Sequence, residues 1–187
     1  MALPASGPIS VNQVAGEFGR ANNMAAFYSA ASGIPASGAI SLSQFHGKVN
    51  PAARYWRFYI TEHNAASTCL MYEARFALTV GGAKVYPAGV AASNDEPSGP
   101  VSSINDDNVS TFWSSRIEGL GQWVRFDFSS PIAFGELRLL PYSNGTSPKS
   151  FVVQSSPDIN FGSTLYSKTF SGLDGTWAGG TYKSFSL

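Results

Sequence analysis

The sequence predicts a mainly β protein, in which a small N-terminal segment of short helices precedes a C-terminal jelly-roll β-sandwich. Three observations lead to this fold class. Residues 51–187 contain many short segments of alternating apolar and polar residues, separated by clusters of Gly, Pro, Ser and Asn. No helix-period pattern lies between these segments, which is typical of a sandwich or jelly roll. Residues 1–50 instead are rich in Ala, Gly and Ser, and their apolar residues fit short helices.

The helices of residues 1–50 are predicted from a repeat. Residues 4–10, Pro-Ala-Ser-Gly-Pro-Ile-Ser, recur with a single change as residues 35–41. Each copy ends in a Ser followed three residues later by Gln, the capping box that opens a helix. The repeat therefore predicts helices over Val11–Phe18 and Leu42–Phe45. Between them, an Asn pair can cap a third short helix over residues 24–28.

This first segment has too few large apolar residues to form a stable core of its own. We expect residues 1–50 to anchor or oligomerise the protein by packing against copies of themselves or against a larger assembly. A flexible leader is the alternative, although a solvated linker has no use for helix caps. The apolar residues assigned to anchoring and oligomerisation are Ile9, Val14, Phe18, Phe27, Ile40, Leu42 and Phe45.

The second segment, residues 51–187, is predicted to be one β-sandwich domain. Three of its strands show a clear alternation, over residues 56–60, 70–78 and 123–128. Further strands are expected over residues 135–140, 151–154, 165–170 and 182–187. The residues predicted to point inward from the first three strands are Trp56, Phe58 and Ile60; Leu70, Tyr72, Ala74, Phe76 and Leu78; and Val124, Phe126 and Phe128.

Composition limits the classes of function. The chain has 187 residues, with 12 basic and 12 acidic side chains, and 43% of its residues are hydrophobic. A net charge of zero gives no general attraction to nucleic acids or anionic membranes, so we expect neither as a partner. Cys69 is the single cysteine, which excludes an intramolecular disulfide. No apolar run is long enough to span a membrane, and no export signal is recognisable in the first residues.

Catalytic signals are absent, and we expect no enzyme and no catalytic residues. The two histidines, His46 and His63, lie in different parts of the chain, and no hydrolase, metalloprotease or phosphate-loop motif occurs. Glu73, Asp127 and Glu136 lie within strand patterns and are interpreted as ion-paired. A glycan-degrading enzyme is the competing class, but no carboxylate pair suited to glycoside hydrolysis can be identified.

Several short motifs follow one another in a recognisable order. They are Arg-Tyr-Trp-Arg at residues 54–57, Thr-Phe-Trp-Ser-Ser at 111–115, Gln-Trp-Val-Arg-Phe-Asp-Phe at 122–128, Ser-Pro-Lys-Ser-Phe-Val-Val-Gln-Ser-Ser at 147–156, and a closing Trp177 with Phe-Ser-Leu at 185–187. In this order, residues 54–187 resemble the discoidin-like, coagulation-factor C-type domain of the galactose-binding-like superfamily.

The resemblance implies a binding surface at one end of the sandwich. Domains of this family use loops at that end to hold sugars, lipids or protein partners, and the equivalent loops here are residues 94–99, 116–120 and 142–147. Tyr142 would offer a flat apolar face to a pyranose ring. The alternative is that these are merely solvated loop residues. The candidate glycan-binding residues are Asn94, Asp95, Glu96, Arg116, Glu118, Tyr142 and Asn144. A further polar tip at residues 62–67 is a secondary candidate that the sequence does not place at either end.

The resemblance also raises the question of calcium. Several members of the family hold a structural calcium, and the equivalent ligands here are Asp106, Asn108 and Thr111, with Asp107 close by. The family often completes that site with a Glu near the last strand, where this chain has Gly180 and a Thr. The alternative is that the Asp side chains cap a turn of their own backbone. No other cofactor is expected.

The first segment resembles the leader of many structural proteins of tailed bacteriophages. The motif is an Ile-Pro-x-Ser-Gly-x-Ile-Ser-Leu stretch followed by a capped helix and an aromatic-Gly step, here residues 34–47 with a variant copy at 3–19. The resemblance implies a tail, fibre or baseplate protein, located in a virion assembled in the host cytoplasm. Its partners would be other virion proteins, copies of itself as a trimer by analogy with fibres, and host surface polysaccharide. The alternative is a purely structural subunit of a baseplate, collar or capsid decoration that uses the sandwich for protein contacts.

Overall fold

The structure is a computed structural model that describes residues 3–18, 22–28, 34–35, 37–46, 52–64, 68–115, 121–143, 145–173, 175–177 and 179–187. It contains one α-helix, α1, over Val11–Phe18, and 3₁₀ turns over Met24–Phe27, Leu42–Phe45 and Val101–Asn105. The strands are β1 Ala53–His63, β2 Leu70–Ala77, β3 Lys84–Val85, β4 Gly89–Ala92, β5 Trp113–Ser114, β6 Trp123–Ile132, β7 Glu136–Pro141, β8 Pro148–Ser156, β9 Tyr166–Phe170 and β10 Lys183–Ser186. Within the described part of the chain, no helix is long and apolar enough to cross a membrane.

The strands form two antiparallel sheets of five strands each, as the predicted β-sandwich requires. The first sheet has the order β4-β6-β1-β8-β9. The second has the order β10-β7-β2-β3, and β5 pairs with the beginning of β2. The predicted fold class is therefore confirmed. Three strands were not expected, β3, β4 and β5, because two to four residues are too few to show an alternation.

The core lies between the two sheets and is rich in aromatic rings. The predicted inward residues of β1 and β6 are all buried, and they pack with Trp113 and Phe134 in one apolar cluster. Trp56 illustrates how a polar atom is tolerated there. Its indole nitrogen donates hydrogen bonds to the carbonyls of Ala53 and Ile132, each at 3.1 Å. The alternation of single strands is thus sufficient to predict most of this core.

Strand β2 departs from the predicted alternation. Ala74 and Phe76 point inward as expected, but Met71 is buried where Leu70 and Tyr72 were predicted, and Leu78 is exposed beyond the strand's end. The physical reason is a β-bulge. Between Met71 and Glu73 the pairing with β7 shifts by one residue, so that Tyr72 is the extra residue. Beyond a bulge, the side chains of a strand point to the face opposite to the one that strict alternation predicts. A sequence pattern with a period of two therefore cannot reveal the bulge.

The first segment folds as its repeat predicts. Ser10 and Gln13 form the reciprocal capping box, with Gln13 Oε1 accepting from the Ser10 N–H at 2.7 Å and Ser10 Oγ accepting from the Gln13 N–H at 3.2 Å. Gln44 Oε1 accepts in the same way from the Ser41 N–H at 2.7 Å. Asn23 caps the middle turn through the Ala26 N–H at 2.9 Å. Identical local chemistry thus produces the same device in both copies.

The segment buries an apolar cluster of its own, although whether this cluster is stable independently stays a prediction. Six side chains form a separate apolar cluster in which Phe45 packs edge-on against Phe18 and Phe27, with ring centroids 5.9 and 5.6 Å apart. The two copies of the repeat contribute equivalent residues to this cluster. Leu3 has the same position in its copy as Ile34, and Val14 has the same position as Phe45. The buried members are Leu3, Val14, Phe18, Phe27, Ile34 and Phe45.

This burial divides the residues assigned to oligomerisation. Four of them lie inside the cluster and are closed to a second chain in this conformation, namely Val14, Phe18, Phe27 and Phe45. The other three, Ile9, Ile40 and Leu42, are only partly buried and border the cluster. Anchoring through this segment stays a prediction, and these three partly exposed residues are the ones that can make it.

Candidate functional site

Several loops lie at one end of the sandwich because of the directions of the strands that they connect. β1 ends at His63, which pairs with Pro148 at the start of β8, and Trp123 at the start of β6 lies opposite Tyr59. Ala92, at the end of β4, pairs with Val124, the second residue of β6. In the second sheet, β2 begins and β7 ends at this same end. The loops at residues 93–99 and 142–147 therefore lie together, and we call this end of the sandwich the loop end.

The loop end also contains the polar tip that the sequence could not place. Asn64 follows β1 directly, and its side-chain amide donates to the Ser147 carbonyl at 3.0 Å. Glu62 forms an ion pair with Lys149 at 2.9 Å, and the Ser150 hydroxyl donates to the same carboxylate. These contacts tie the end of β1 to the start of β8. The tip thus supports the loop that carries Tyr142.

An aromatic groove lies at this end of the sandwich. Tyr142 is 41% exposed, and its ring is backed by Tyr72 and Phe112, with centroid distances of 5.1 and 5.2 Å. The groove has a volume of about 420 Å³. Its lining consists of Tyr72, Val109, Leu140, Tyr142, Gly179 and Gly180. We call this feature the tyrosine groove.

The bulge in β2 explains why the groove exists. Tyr72 is the extra residue of the bulge, so its ring leaves the core side and lies against Tyr142. The Tyr142 N–H is bonded back to the Leu70 carbonyl at 3.4 Å, which holds the start of the loop on β2. Tyr142 was predicted from the sequence, whereas Tyr72 was predicted to be a core residue. A Tyr within an alternating strand gives no signal of a bulge.

Two glycines form the opposite wall of the groove. No atom lies within 4 Å of where a Cβ would stand on either Gly179 or Gly180, so this wall is open backbone. Gly180 has a φ of +73°, in the left-handed region that favours glycine. The Glu that the family often has near the last strand would fall on the Thr that follows Gly180, which is not part of this lining. Among the described residues, the side chains that line the groove include no carboxylate, histidine or cysteine.

Of the other predicted glycan-binding residues, the three that the structure describes, Asn94, Asp95 and Glu96, are not part of the groove lining. The Asp95 carboxylate accepts from the Val101 N–H at 3.0 Å and so caps the 3₁₀ turn Val101–Asn105. Glu96 is held by its backbone, in a bridge with Gly99 and a 2.9 Å bond to the Ser114 carbonyl. The Asn94 amide lies 3.4 Å from the Ser93 hydroxyl. Arg116, Glu118 and Asn144 lie outside the described residues.

The proposed calcium ligands are bonded to one another. The Asp106 carboxylate accepts from the Asn108 N–H at 2.9 Å and from the Thr111 hydroxyl at 2.8 Å. The same hydroxyl donates to the Asn108 carbonyl at 2.8 Å. Among the residues described, no group of three Asp, Glu, His or Cys side chains is placed to hold a metal. This arrangement is that of a self-capped turn and does not fit a calcium site, so calcium stays an untested prediction that the geometry does not support.

An ion cluster lies beside this turn on the outer side of β2. It consists of Glu73, Arg75, Lys84 and Asp107. Lys84 donates to Asp107 at 2.8 Å and to the Asn105 carbonyl at 2.9 Å, and its ammonium is 3.7 Å from Glu73. Arg75 bridges the same two acids, at 3.4 Å from Glu73 and 3.0 Å from Asp107. Two cations therefore face the two carboxylates of the cluster, and the Asp106 side chain of the adjacent turn also lies within hydrogen-bond reach of Glu73.

The two acids of the ion cluster respond in opposite ways to their surroundings. Burial raises the pKa of Glu73 above its ordinary value, although Lys84 and Arg75 oppose the effect. The hydrogen bond from Lys84 lowers the pKa of Asp107. Asp107 has a φ of +63°, a left-handed conformation that its hydrogen bonds and ion pairs hold in place. The predicted ion pairing of Glu73 is confirmed.

The remaining titratable candidates also have structural contacts. Asp127 is paired with Arg54 at 2.9 Å and Glu136 with Arg138 at 3.0 Å, as predicted. Cys69 is fully buried, and burial raises the pKa of its thiol. The absence of enzymatic activity stays a prediction. What the loop end offers chemically is an aromatic surface beside open backbone, which suits contact with the apolar face of a ligand.

Comparison with known proteins adds a family to this geometry. No curated protein and no solved structure matches the chain. Residues 89–186 match the family model of the F5/8 type C domain, the discoidin-like domain. The match begins at β4 and ends with β10, whereas the resemblance in the sequence suggested a start near Arg54. It covers slightly more than half of the 187 residues and includes most of the lining of the tyrosine groove. The chain therefore belongs to the F5/8 type C domain family.

Proposed function

We propose that this protein is a non-enzymatic virion component of a tailed bacteriophage, whose discoidin-like domain binds host surface glycan in the tyrosine groove. Domains of this kind often bind carbohydrates or proteins. The observation that carries the proposal is the exposed ring of Tyr142, which Tyr72 and Phe112 hold in place beside an open glycine wall.

The groove suits a pyranose ring for a physical reason. The apolar C–H face of a sugar packs on a flat aromatic ring, and the loss of water from both surfaces favours the contact. A ring that is already fixed by two neighbours loses little conformational freedom on binding. One such contact gives weak affinity, and several linked copies in a virion convert later contacts into intramolecular ones. A trimer or larger assembly is therefore part of the proposal.

The direction of the chain supports an adhesive arrangement. β1 begins at Ala53, opposite Ile132, and runs toward the loop end. The chain thus enters the sandwich from the end that lies away from the tyrosine groove. In the proposal, residues 1–50 join other virion proteins through Ile9, Ile40 and Leu42, which border their cluster and are partly exposed. The sandwich then presents the loop end outward, toward the host.

A purely structural virion subunit is the second candidate, and one observation favours it. Three large side chains are exposed in the turn between β2 and β3 or directly after β3, and the Tyr86 hydroxyl donates to Asp107 at 2.7 Å. Leu78 is 55% exposed, Val80 54% and Tyr86 66%. Exposed apolar side chains that lie close together are typical of protein contacts. In this alternative the sandwich is bound by neighbouring subunits, and the tyrosine groove has no ligand.

A binding experiment with matched variants tests the proposal. The full chain is applied to an array of bacterial surface polysaccharides, beside the variants Tyr142→Ala and Tyr86→Ala, each shown to be folded by its thermal unfolding. We expect saturable binding to some polysaccharides, a loss of about tenfold or more in Tyr142→Ala, and wild-type binding in Tyr86→Ala. No binding by the wild type, or equal binding by Tyr142→Ala, would contradict the proposal.

The same pair of variants separates the two candidates. A structural subunit needs its apolar surface for assembly, so Tyr86→Ala would then reduce incorporation into particles and Tyr142→Ala would not. The glycan-binding proposal expects the reverse for attachment of particles to cells. Incorporation is measured by the amount of the chain in purified particles, and attachment by the fraction of particles removed from solution by cells.

A further inference from the structure

A second pocket lies on the outer face of the first sheet, away from the tyrosine groove. Arg57 of β1 and Arg125 of β6 are directly opposite each other in the pairing of the two strands. Together with Trp123 and the loop after β8, they line a pocket of about 180 Å³. The loop contributes Ile159, Asn160 and Phe161. We call this feature the arginine pocket.

Among the described residues, the two arginines have no acidic partner, since no carboxylate lies within ion-pairing distance of either guanidinium group. Two acids that are near the pocket residues along the chain are already bonded elsewhere. Asp127 pairs with Arg54 at 2.9 Å, and Asp158 accepts backbone N–H groups of its own loop at 3.0 Å. The pocket therefore holds two uncompensated positive charges.

Several contacts fix the guanidinium groups in place. Arg57 donates through Nε to the Gln154 side chain at 2.8 Å, and its guanidinium lies 4.1 Å from the centre of the Phe161 ring. Arg125 donates through Nη1 to the Ile159 carbonyl at 3.3 Å and lies 5.8 Å from the Trp123 ring. Its Nε is buried and has no acceptor. Donors of both groups thus stay available in a fixed orientation.

This arrangement is costly without a ligand. Like charges directly opposite each other in a sheet repel, and partial burial removes water that would weaken the repulsion. Burial also lowers the pKa of Arg57, because the charged guanidinium group loses part of its hydration there. Phe161 adds a further cost, since its φ of +57° is unusual for a residue other than glycine, and this conformation places its ring over Arg57. An anion between the two arginines would remove the repulsion and accept the unused donors.

We propose that the arginine pocket binds an oxyanion carried by a sugar ring, with the oxyanion between Arg57 and Arg125 and the ring against Trp123. Guanidinium groups bind carboxylate and phosphate through paired hydrogen bonds, and an indole face suits a sugar ring. A uronic acid and a sugar phosphate share this chemistry. The site lies on a sheet face and does not depend on the tyrosine groove, so it stands whether or not that groove binds glycan.

Titration of the full chain with four ligands tests the proposal. Three of them contain one hexose ring, namely glucuronate, glucose 6-phosphate and glucose, and the fourth is inorganic phosphate. Trp123 is the natural reporter, because the other three tryptophans, Trp56, Trp113 and Trp177, are buried. We expect a saturable change in fluorescence with glucuronate or glucose 6-phosphate. Glucose and inorganic phosphate should bind about tenfold more weakly or not at all, because each lacks half of the recognised group.

Variants assign the binding to the two arginines. Arg57→Gln and Arg125→Gln should each weaken binding of the anionic sugar about tenfold or more. Arg54→Gln is the matched control, since it removes a charge on the neighbouring residue that is paired with Asp127 outside the pocket. Arg125→Lys keeps the positive charge but loses the planar guanidinium group. This variant has the same net charge as the wild type and should bind the anionic sugar more weakly.

The outcomes are distinct. Binding of glucuronate alone assigns the pocket to uronic acids, and binding of glucose 6-phosphate alone assigns it to sugar phosphates. Equal binding of glucose and the anionic sugars would overturn the proposal. It would also be overturned if folded Arg57→Gln and Arg125→Gln bound like the wild type, if Arg54→Gln lost as much affinity as they did, or if no ligand bound.

Discussion

The ion cluster on the second sheet and the arginine pocket on the first sheet differ in how their charges are compensated. In the ion cluster, Lys84 and Arg75 face two carboxylates within 4 Å. In the arginine pocket, two guanidinium groups face each other and no described carboxylate pairs with them. Glu73 is fully buried, whereas the arginines are only half-buried. The first group closes a loop onto a strand, and the second leaves its donors open to a pocket.

This difference separates charges that stabilise the fold from charges that are free to meet a ligand. Removing one member of a compensated buried group leaves its partner as an unpaired charge without surrounding water, which lowers the free energy of unfolding. Removing one of two like charges relieves their repulsion, and the hydrogen bond and ring contact of the lost guanidinium group offset part of that gain. The two groups should therefore respond to substitution with opposite signs.

The largest effect is expected from Lys84→Met. The Lys84 side chain is nearly buried and its ammonium lies 2.8 Å from Asp107, so its loss leaves Arg75 as the one cation of the ion cluster beside Glu73 and Asp107. We expect the free energy of unfolding to fall by about 3 kcal/mol. Chemical denaturation of the full chain measures it. Lys149→Met removes an exposed cation of the Glu62 pair and serves as the control without a measurable change. Equal losses in both variants would refute a special role for the ion cluster.

A smaller effect, dependent on pH, is expected from Asp107→Asn. The folded pKa of Asp107 lies below its ordinary value, so its contribution to stability is present above about pH 4 and is lost as the pH falls through the folded pKa. Asn also accepts a left-handed backbone, which keeps the turn intact. Below pH 4 the wild type should therefore lose about 1–2 °C of melting temperature that the variant does not lose, since Asp107 is partly exposed and screened.

Glu73 acts in the opposite direction and does not confuse this test. Its folded pKa is raised, so its contribution is present at low pH and declines as the pH rises above its ordinary value. Both proteins contain Glu73, so the comparison of wild type with Asp107→Asn at each pH cancels the pH-dependent contribution of Glu73. Parallel melting curves for the two proteins between pH 5 and pH 3 would show that Asp107 is not stabilised by the ion cluster.

The smallest effect has the opposite sign and is expected from Arg125→Gln. Loss of this charge relieves the repulsion with Arg57 directly across the strand pair, so the free energy of unfolding should rise by about 0.5 kcal/mol at low salt. Added salt screens the repulsion, and the gain should then disappear. Denaturation at two salt concentrations is the measurement. A clear destabilisation at low salt would contradict this expectation, because the contacts of Arg125 with the Ile159 carbonyl and the Trp123 ring would then outweigh the repulsion.

Local patterns in the sequence predict much of this fold. The capping boxes place α1 and the turn Leu42–Phe45 with their observed bounds, because their hydrogen bonds involve residues three positions apart. Alternation predicts β1 and β6 correctly for the same reason. It fails at Tyr72, where a bulge depends on the pairing with β7 rather than on β2 alone.

The sites are predicted less completely, since they depend on contacts between strands. Tyr142 could be assigned from its loop, but its support by Tyr72 follows from the bulge. Arg57 and Arg125 are both outward positions of predicted strands, yet only the register of β1 with β6 brings them face to face. Asp95 looked like a sugar-binding residue and caps a turn instead, because a carboxylate serves either purpose.

The most direct test of binding at the loop end is a map of amide chemical shifts. The full chain, labelled with ¹⁵N, is titrated with oligosaccharides cut from a bacterial surface polysaccharide that it binds on the array. The proposal predicts the largest shifts at the amides of Gly179, Gly180 and Tyr142, with little change near Leu78 and Val80. Shifts confined to the end of the sandwich that carries Leu78 and Val80, or no shifts at all, would contradict it.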